Sequence, residues 1–536
     1  MFYGGRIKNV LLCLSLTAVL AGCGALSDTR IPGDDRAEEI NREQTEDKAV
    51  RAEQGREASA PSVSFASFDG YAAQIPGILV DMNGYDAEAS KTAVFVGDVI
   101  PTSYEVKNDE TGEIVFSGEV NRSRHDESIG VGDFSSLTEP GVYYLSAEWM
   151  GESEPFAILP DGYRTIRDMV MRRYYINRCG IAITREYAGE EAHSVCHTTD
   201  AVIAGTDRTI DVTGGWHMDG RADRFSADGA DAVSRLLLAY ESAPEAFGDD
   251  TGIPESGNGV SDLLDECLIE VSWLMKMQDA DSGGVYAAAY TIGDDGSNLL
   301  AAPVEVQGVD PAASAAFATA LAKFSYDYRR VDQIFATKAL RAADRALSWY
   351  MQAVGNKPGD EAFAAAAELY RATGGEEYRD LIDAFCDSAD FYGRVTSKPE
   401  LFIGAVTYLS TTQPVDREAS EKLMECFRSS AREIADRANS SAFATDPERF
   451  ADDPFGSSTL LLRDIMVLAI NDRVSYSHEY TQLIAEYLHS VCGRNPYGRS
   501  YLMGFESDAS TEGYPGIINQ PVLNADLAVA VGMLMK

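Results

Sequence analysis

Near residue 160 the hydrophobic rhythm of the chain changes, and that change predicts two folded units of different class. Before it, "TAVFVGD", "SYEVKND", "EIVFSGEV" and "GVYYLSAEW" alternate apolar and polar side chains, the pattern of strands with one buried face. The "NDETGE" at 108–113 separates two of these runs and predicts a hairpin turn. Several short strands in one stretch predict a small all-β sandwich over residues 63–158. Beyond it, apolar positions recur at helical spacing. Val233, Leu236, Leu237 and Tyr240 share one helical face, as do Leu263, Leu264, Cys267, Val271 and Leu274 after a Ser261 N-cap. Segments 317–324, 343–351, 363–370, 460–470 and 483–491 repeat the theme, so residues 159–536 read as a closed all-α array of helical hairpins.

The N-terminus reads as a processing signal. Arg6 and Lys8 precede the apolar run 10–21, "VLLCLSLTAVLA", which is short for a bilayer span and right for a secretory core. It runs into "LAGC" at 20–23, which resembles the bacterial lipoprotein box. Residues 1–22 are therefore expected to be a signal peptide, and Cys23 the lipidated residue that anchors the chain to the cell membrane. Residues 24–62 are rich in charge and poor in aromatic and β-branched residues, so they are expected to form a flexible tether. The formal net charge is −40, from 85 Asp and Glu against 45 Lys and Arg. Such a surface repels phosphate backbones, excludes nucleic acid as a partner, and leaves neutral or cationic ligands.

A family resemblance enters through the loops. "IPESGNGVSDLLDECLIEVSWLMKMQDADSGGVYAAAYT" at 253–291 resembles the long signature of glycoside hydrolase family 9, the cellulase family with an (α/α)6 barrel. "DVTGGWH" at 211, "AAAELYRATGGEEY" at 365 and "CGRNPYGRSYLMGF" at 492 fall in that family's order. "ILVDMNGY" at 78–85 and "GVYYLS" at 141–146 resemble the immunoglobulin-like module that precedes the barrel in one branch of it. The resemblance implies an inverting glycosidase acting on a β-linked glucan. One carboxylate activates water and a second carboxyl group protonates the leaving oxygen from about 6.5–9.5 Å away.

This sequence departs from that chemistry. The family's "DAGD" follows "GGWH" directly, and matching without gaps puts Met218 and Arg221 where the two Asp belong. Met accepts no proton, and Arg stays charged. Asp219 and Asp223 are shifted acidic candidates, but Arg221 between them favours an ionised, paired carboxylate over a base. Near the C-terminus the family's acid Glu has no matching residue before "NADLAVAVGML". Glu506 and Glu512 are nearby carboxylates, and neither is placed as the acid by the sequence.

Other site residues follow from the same resemblance. Cys179, Cys196, His197 and His217 match a set that holds a structural zinc in part of the family, with His193 as an alternative fourth ligand. A Cys179–Cys196 disulfide is the competing reading for an exported protein. Arg221 and the aromatics Trp216, Trp273, Tyr286 and Tyr497 are expected to contact sugar. The "DADSGG" at 279–284 offers oxygen donors that a calcium ion could use. Two functions then compete: a carbohydrate-binding relative with impaired hydrolysis, or an active hydrolase using relocated carboxylates.

Overall fold

The computed structural model describes residues 77–293, 298–450, 453–506 and 513–535. The expected signal peptide, Cys23, the 24–62 tether and Glu512 lie outside the described residues.

The alternating segments form a sandwich of nine strands: β1 Ile78–Leu79, β2 Tyr85–Asp86, β3 Thr92–Val96, β4 Ser103–Asn108, β5 Ile114–Arg122, β6 Ile129–Asp133, β7 Gly141–Ala147, β8 Gly151–Glu152 and β9 Phe156–Leu159. They join in the order β1-β3-β6-β5-β4-β7-β9-β2, with β8 on β7. The long β5 carries the path between the layers, pairing with β4 through residues 114–119 and with β6 through 120–122. Phe95, Tyr104, Val106, Leu145 and Phe156 fill the space between them. The expected turn is present: Asn108 Oδ1 accepts the backbone N–H groups of Glu110 and Thr111, and Gly112 adopts φ 69°.

Among the described residues, twelve helices of at least eleven residues follow: α1 Gly162–Ile176, α2 Ser226–Ser242, α3 Asp262–Lys276, α4 Pro311–Tyr328, α5 Gln333–Ala353, α6 Glu361–Thr373, α7 Glu376–Cys386, α8 Pro399–Ser410, α9 Arg417–Asn439, α10 Pro454–Ser475, α11 Thr481–Val491 and α12 Pro521–Leu534. The even-numbered helices form the inner ring of an (α/α)6 barrel and the odd-numbered ones surround it. Their sequences explain the division. The inner α12 buries nearly every side chain, whereas the outer α9 buries only the stripe Ala419, Leu423, Phe427, Ala431, Ile434 and Ala438. Four inner helices begin on proline, whose fixed φ suits a first turn, and Asp310 and Asp453 cap α4 and α10. Arg235 of α2 pairs with Asp526 of α12 at 2.6 Å where the ring closes.

The sandwich docks on α11 and the loop after it. Asp81 accepts from His489 Nδ1 at 2.8 Å, the Met82 N–H donates to the Cys492 carbonyl at 2.9 Å, and Ser500 Oγ donates to Asn83 at 2.7 Å. Arg494 also reaches Thr92. Burial is the main influence on Asp81 and raises its pKa, with His489 opposing it.

Candidate functional site

The "GGWH" loop is held by its own glycines and by α3. Gly214 and Gly215 have φ of 107° and 78°, and a Cβ at residue 215 would meet the Trp273 ring at 2.7 Å. The Trp216 N–H donates to Glu270 Oε2 at 2.7 Å. Backbone bonds from Cys179 to Gly215 and from His217 to Asn177 lay the loop beside residues 177–179. That pairing brings the metal-ligating types together.

Cys179, Cys196, His197 and His217 offer donor atoms that all lie within 4.8 Å of one another. The two sulfurs stand 3.8 Å apart as free thiols, so the disulfide alternative does not describe this site. Two thiolates each about 2.3 Å from a tetrahedral ion stand about 3.8 Å apart, so the spacing fits a metal of that geometry. Cys179 Sγ lies 3.4 Å from His197 Nδ1, and Cys196 Sγ lies 3.7 Å from His217 Nε2. The far nitrogen of His197 faces the Leu299 carbonyl at 3.0 Å, the kind of outer contact that orients a ligating imidazole. Hydrogen bonding to Cys179 and to both histidines lowers the Cys196 thiol despite burial, while the sulfur contact and burial push Cys179 up. Burial lowers the His217 pKa against the opposing pull of Cys196, a shift towards the neutral imidazole that ligation requires. His193 stands outside this group, its Nδ1 bonded to the Ser194 carbonyl at 2.8 Å.

The turn after His217 places the shifted acids in structural roles. Met218 N–H donates to the Asp223 carbonyl, and Asp219 Oδ1 accepts the N–H groups of Arg221 and Asp223, each at 3.0 Å. Asp223 is 4% exposed, and its Oδ1 accepts the Thr291 N–H at 2.6 Å. Burial is the main influence on it and raises its pKa, opposed by the Thr291 bond. Asp223 is thus a strut between this turn and the strand 288–291, which corrects its candidacy as a base. Asp219 remains exposed. Arg221 is exposed too, but its Nη2 donates to the Gly293 carbonyl at 2.8 Å. Glu506 is exposed beside Phe505, which pairs with Tyr514.

The four aromatics expected to face sugar are core residues instead. Trp216 and Trp273 are buried, the first against Tyr174 and the second beside Arg224. Tyr286 and Tyr497 are buried with their hydroxyls donating to Asp279 and to the Phe450 carbonyl. An amphipathic ring satisfies its polar atom in a core as readily as on a sugar, so the sequence did not separate the two. The 279–284 turn is organised by its own first residue. Asp279 accepts from Ser282 and from the Tyr286 hydroxyl, with Arg208 at 3.7 Å, so protein donors already engage both of its oxygens.

Two features escaped the sequence reading. Glu270 is wholly buried on α3, where a carboxylate inside an apolar stripe was the available signal. Where α8, α10 and α12 begin, a cavity of about 150 Å³ opens beside α2, lined by Arg235, Lys398, Phe402, Arg463, Val522 and Asp526 among others. Nothing in the helical pattern marks these residues as neighbours.

A twelve-helix double ring carrying a Gly-Gly-Trp-His loop, preceded by an immunoglobulin-like sandwich, defines a glycosidase-type scaffold. Residues 163–534 match glycosyl hydrolase family 9, and residues 73–152 match the cellulase N-terminal ig-like domain. The chain belongs to glycosyl hydrolase family 9. It is 29% identical over 483 residues to a cellodextrinase of Butyrivibrio fibrisolvens, covering 80% of this chain and 84% of that one. It is 26% identical over 455 residues to endoglucanase D of Acetivibrio thermocellus, covering 78% and 72%. Among solved structures, a Zn-binding triple mutant of the family 9 endoglucanase J30 matches with TM-score 0.65 and 26% identity, covering 78% of this chain and 84% of that one.

Proposed function

We propose that this chain is an exported, membrane-tethered family 9 protein that binds β-linked glucan and has lost hydrolysis or retains very little. The observation that carries this reading is the fate of the acids after "GGWH". Asp223 is buried and held by Thr291, Asp219 organises its own turn, and the flanking positions 218 and 221 are Met and Arg. Activation of water needs a carboxylate free to accept a proton across an open site. The names of the endoglucanase and cellodextrinase relatives support a glucan ligand. The apolar run 10–21 and "LAGC" support export and anchoring through Cys23. The four-ligand cluster supports a zinc ion held for structure, since all four tetrahedral positions come from protein.

Reducing-end release from soluble β-glucans by the purified protein tests the reading, alongside retention of those glucans in affinity electrophoresis. Turnover near background with retained binding is the expected result. The competing reading, an active hydrolase with a relocated base, rests on the exposure of Asp219. Robust turnover abolished by Asp219→Ala establishes it and overturns ours.

A further inference from the structure

The cavity at the head of the inner ring has a charge opposite to that of the chain. Three cations line it, Arg235, Lys398 and Arg463, against the single acid Asp526. Arg235 is already neutralised, bonded to Asp526 at 2.6 Å and to Asp231 at 2.9 Å. Among the described residues neither Lys398 nor the half-buried Arg463 makes a salt bridge, although the protein carries a net charge of −40, and Arg463 only contributes from a distance to the field at Asp464, which is paired with Arg449. A partly desolvated guanidinium without an anion is costly, and proteins ordinarily pair it. The helices α8 and α12 add the same sign, because both open at the cavity with N-caps, Lys398 and Gln520, that make no side-chain capping bond.

Size and walls narrow the ligand further. A cavity of about 150 Å³ holds one six-membered ring. Phe402 and Val522 supply apolar wall for a ring face, and the guanidinium fork of Arg463 matches a carboxylate better than a point charge does. We propose that this cavity binds one acidic sugar ring, a uronate, with its carboxylate between Arg463 and Lys398. The inference rests on the carbohydrate-binding reading above and sharpens it, since it replaces the neutral ligand expected from overall charge with an anionic one at this position.

The test is ligand-observed NMR and calorimetric titration of the full-length mature protein with sodium D-glucuronate, D-glucose and inorganic phosphate at low ionic strength, with a soluble neutral β-glucan titrated in parallel. Glucuronate is expected to bind at least about tenfold more tightly than glucose, and Arg463→Met to weaken it about ten- to hundredfold, as loss of a charge-assisted pair does. Lys398 is exposed, so Lys398→Met leaves folding intact and is expected to weaken glucuronate in the same direction with a smaller factor. Equal binding of glucose and glucuronate overturns the proposal. So does glucuronate binding that neither substitution affects, and so does phosphate binding as tightly with the same dependence on Arg463. Neutral glucan binding without glucuronate binding overturns this proposal alone and leaves the broader reading standing, whereas glucuronate binding without neutral glucan binding supports it and removes the β-glucan ligand.

Discussion

Glu270 accepts the Trp216 N–H through Oε2 at 2.7 Å, while its Oε1 is buried with no partner. Burial pushes this carboxyl up to about 8, with the Trp216 bond and the Arg224 charge opposing the shift. A carboxylic acid in that environment is mostly neutral near pH 7, and its Oε2 still accepts the N–H that seats the "GGWH" loop on α3.

The folded pKa of Glu270 lies above its value of 4.5 in the open chain, so its contribution to stability is fully present below pH 4.5 and is lost as the pH rises towards 8. Glu270→Gln keeps an acceptor for Trp216 without a titrating proton. We expect denaturation midpoints of the wild type to fall between pH 5 and pH 8 relative to the variant, by the equivalent of a few kcal/mol. Parallel curves for the two proteins across that range would show that Glu270 does not carry the effect.

The metal cluster predicts a different response. A closed thiolate and imidazole site contributes folding free energy directly, so stripping the ion should lower the melting temperature by more than about 5 °C, and Cys196→Ser should do the same. Metal analysis of the purified protein is expected to return about one zinc per chain. A zinc-free protein whose melting is indifferent to chelator removes the metal from the account.

Asp223 separates structure from catalysis. Asp223→Ala leaves the Thr291 N–H buried without an acceptor, which costs about 1–3 kcal/mol. Stability should fall by that amount, and the residual rate of glucan hydrolysis should not change. A fall in turnover without a fall in stability would assign Asp223 the chemistry denied to it here.

How far the sequence foretold this molecule depends on the range of the interactions. The sandwich, the helical ring and the clustering of Cys179, Cys196, His197 and His217 were legible, because alternation, helical stripes and the order of Cys and His are local patterns. Trp216, Trp273, Tyr286 and Tyr497 were misplaced, because an aromatic that fills a core and one that stacks on a sugar look alike in sequence. The cavity was invisible. Arg235 and Asp526 meet across 291 residues, and only ring closure brings Lys398 and Arg463 beside them.

Restoring acids at the matched positions should not restore an enzyme. Met218 and Glu270 both crowd the space above Gly229, where a Cβ would meet Glu270 Oε1 at 2.1 Å and the Met218 methyl at 3.2 Å. Met218→Asp therefore sets a second carboxyl in partly buried surroundings beside Glu270, whose ionisation burial already opposes, and two carboxyls so close do not readily ionise together. Arg221→Asp in turn breaks the bond from its guanidinium to the Gly293 carbonyl and loosens the turn that would have to aim the new base. The double variant Met218→Asp, Arg221→Asp is expected to release reducing ends from soluble β-glucan at no more than about tenfold above the parent, well short of the 10²–10⁴ factor that a positioned general base supplies. Addition of Glu270→Gln to that pair should raise the rate further by relieving the carboxyl contact. A double variant that reaches the full factor unaided would show that only the two acids were missing, and that the surrounding site had remained competent.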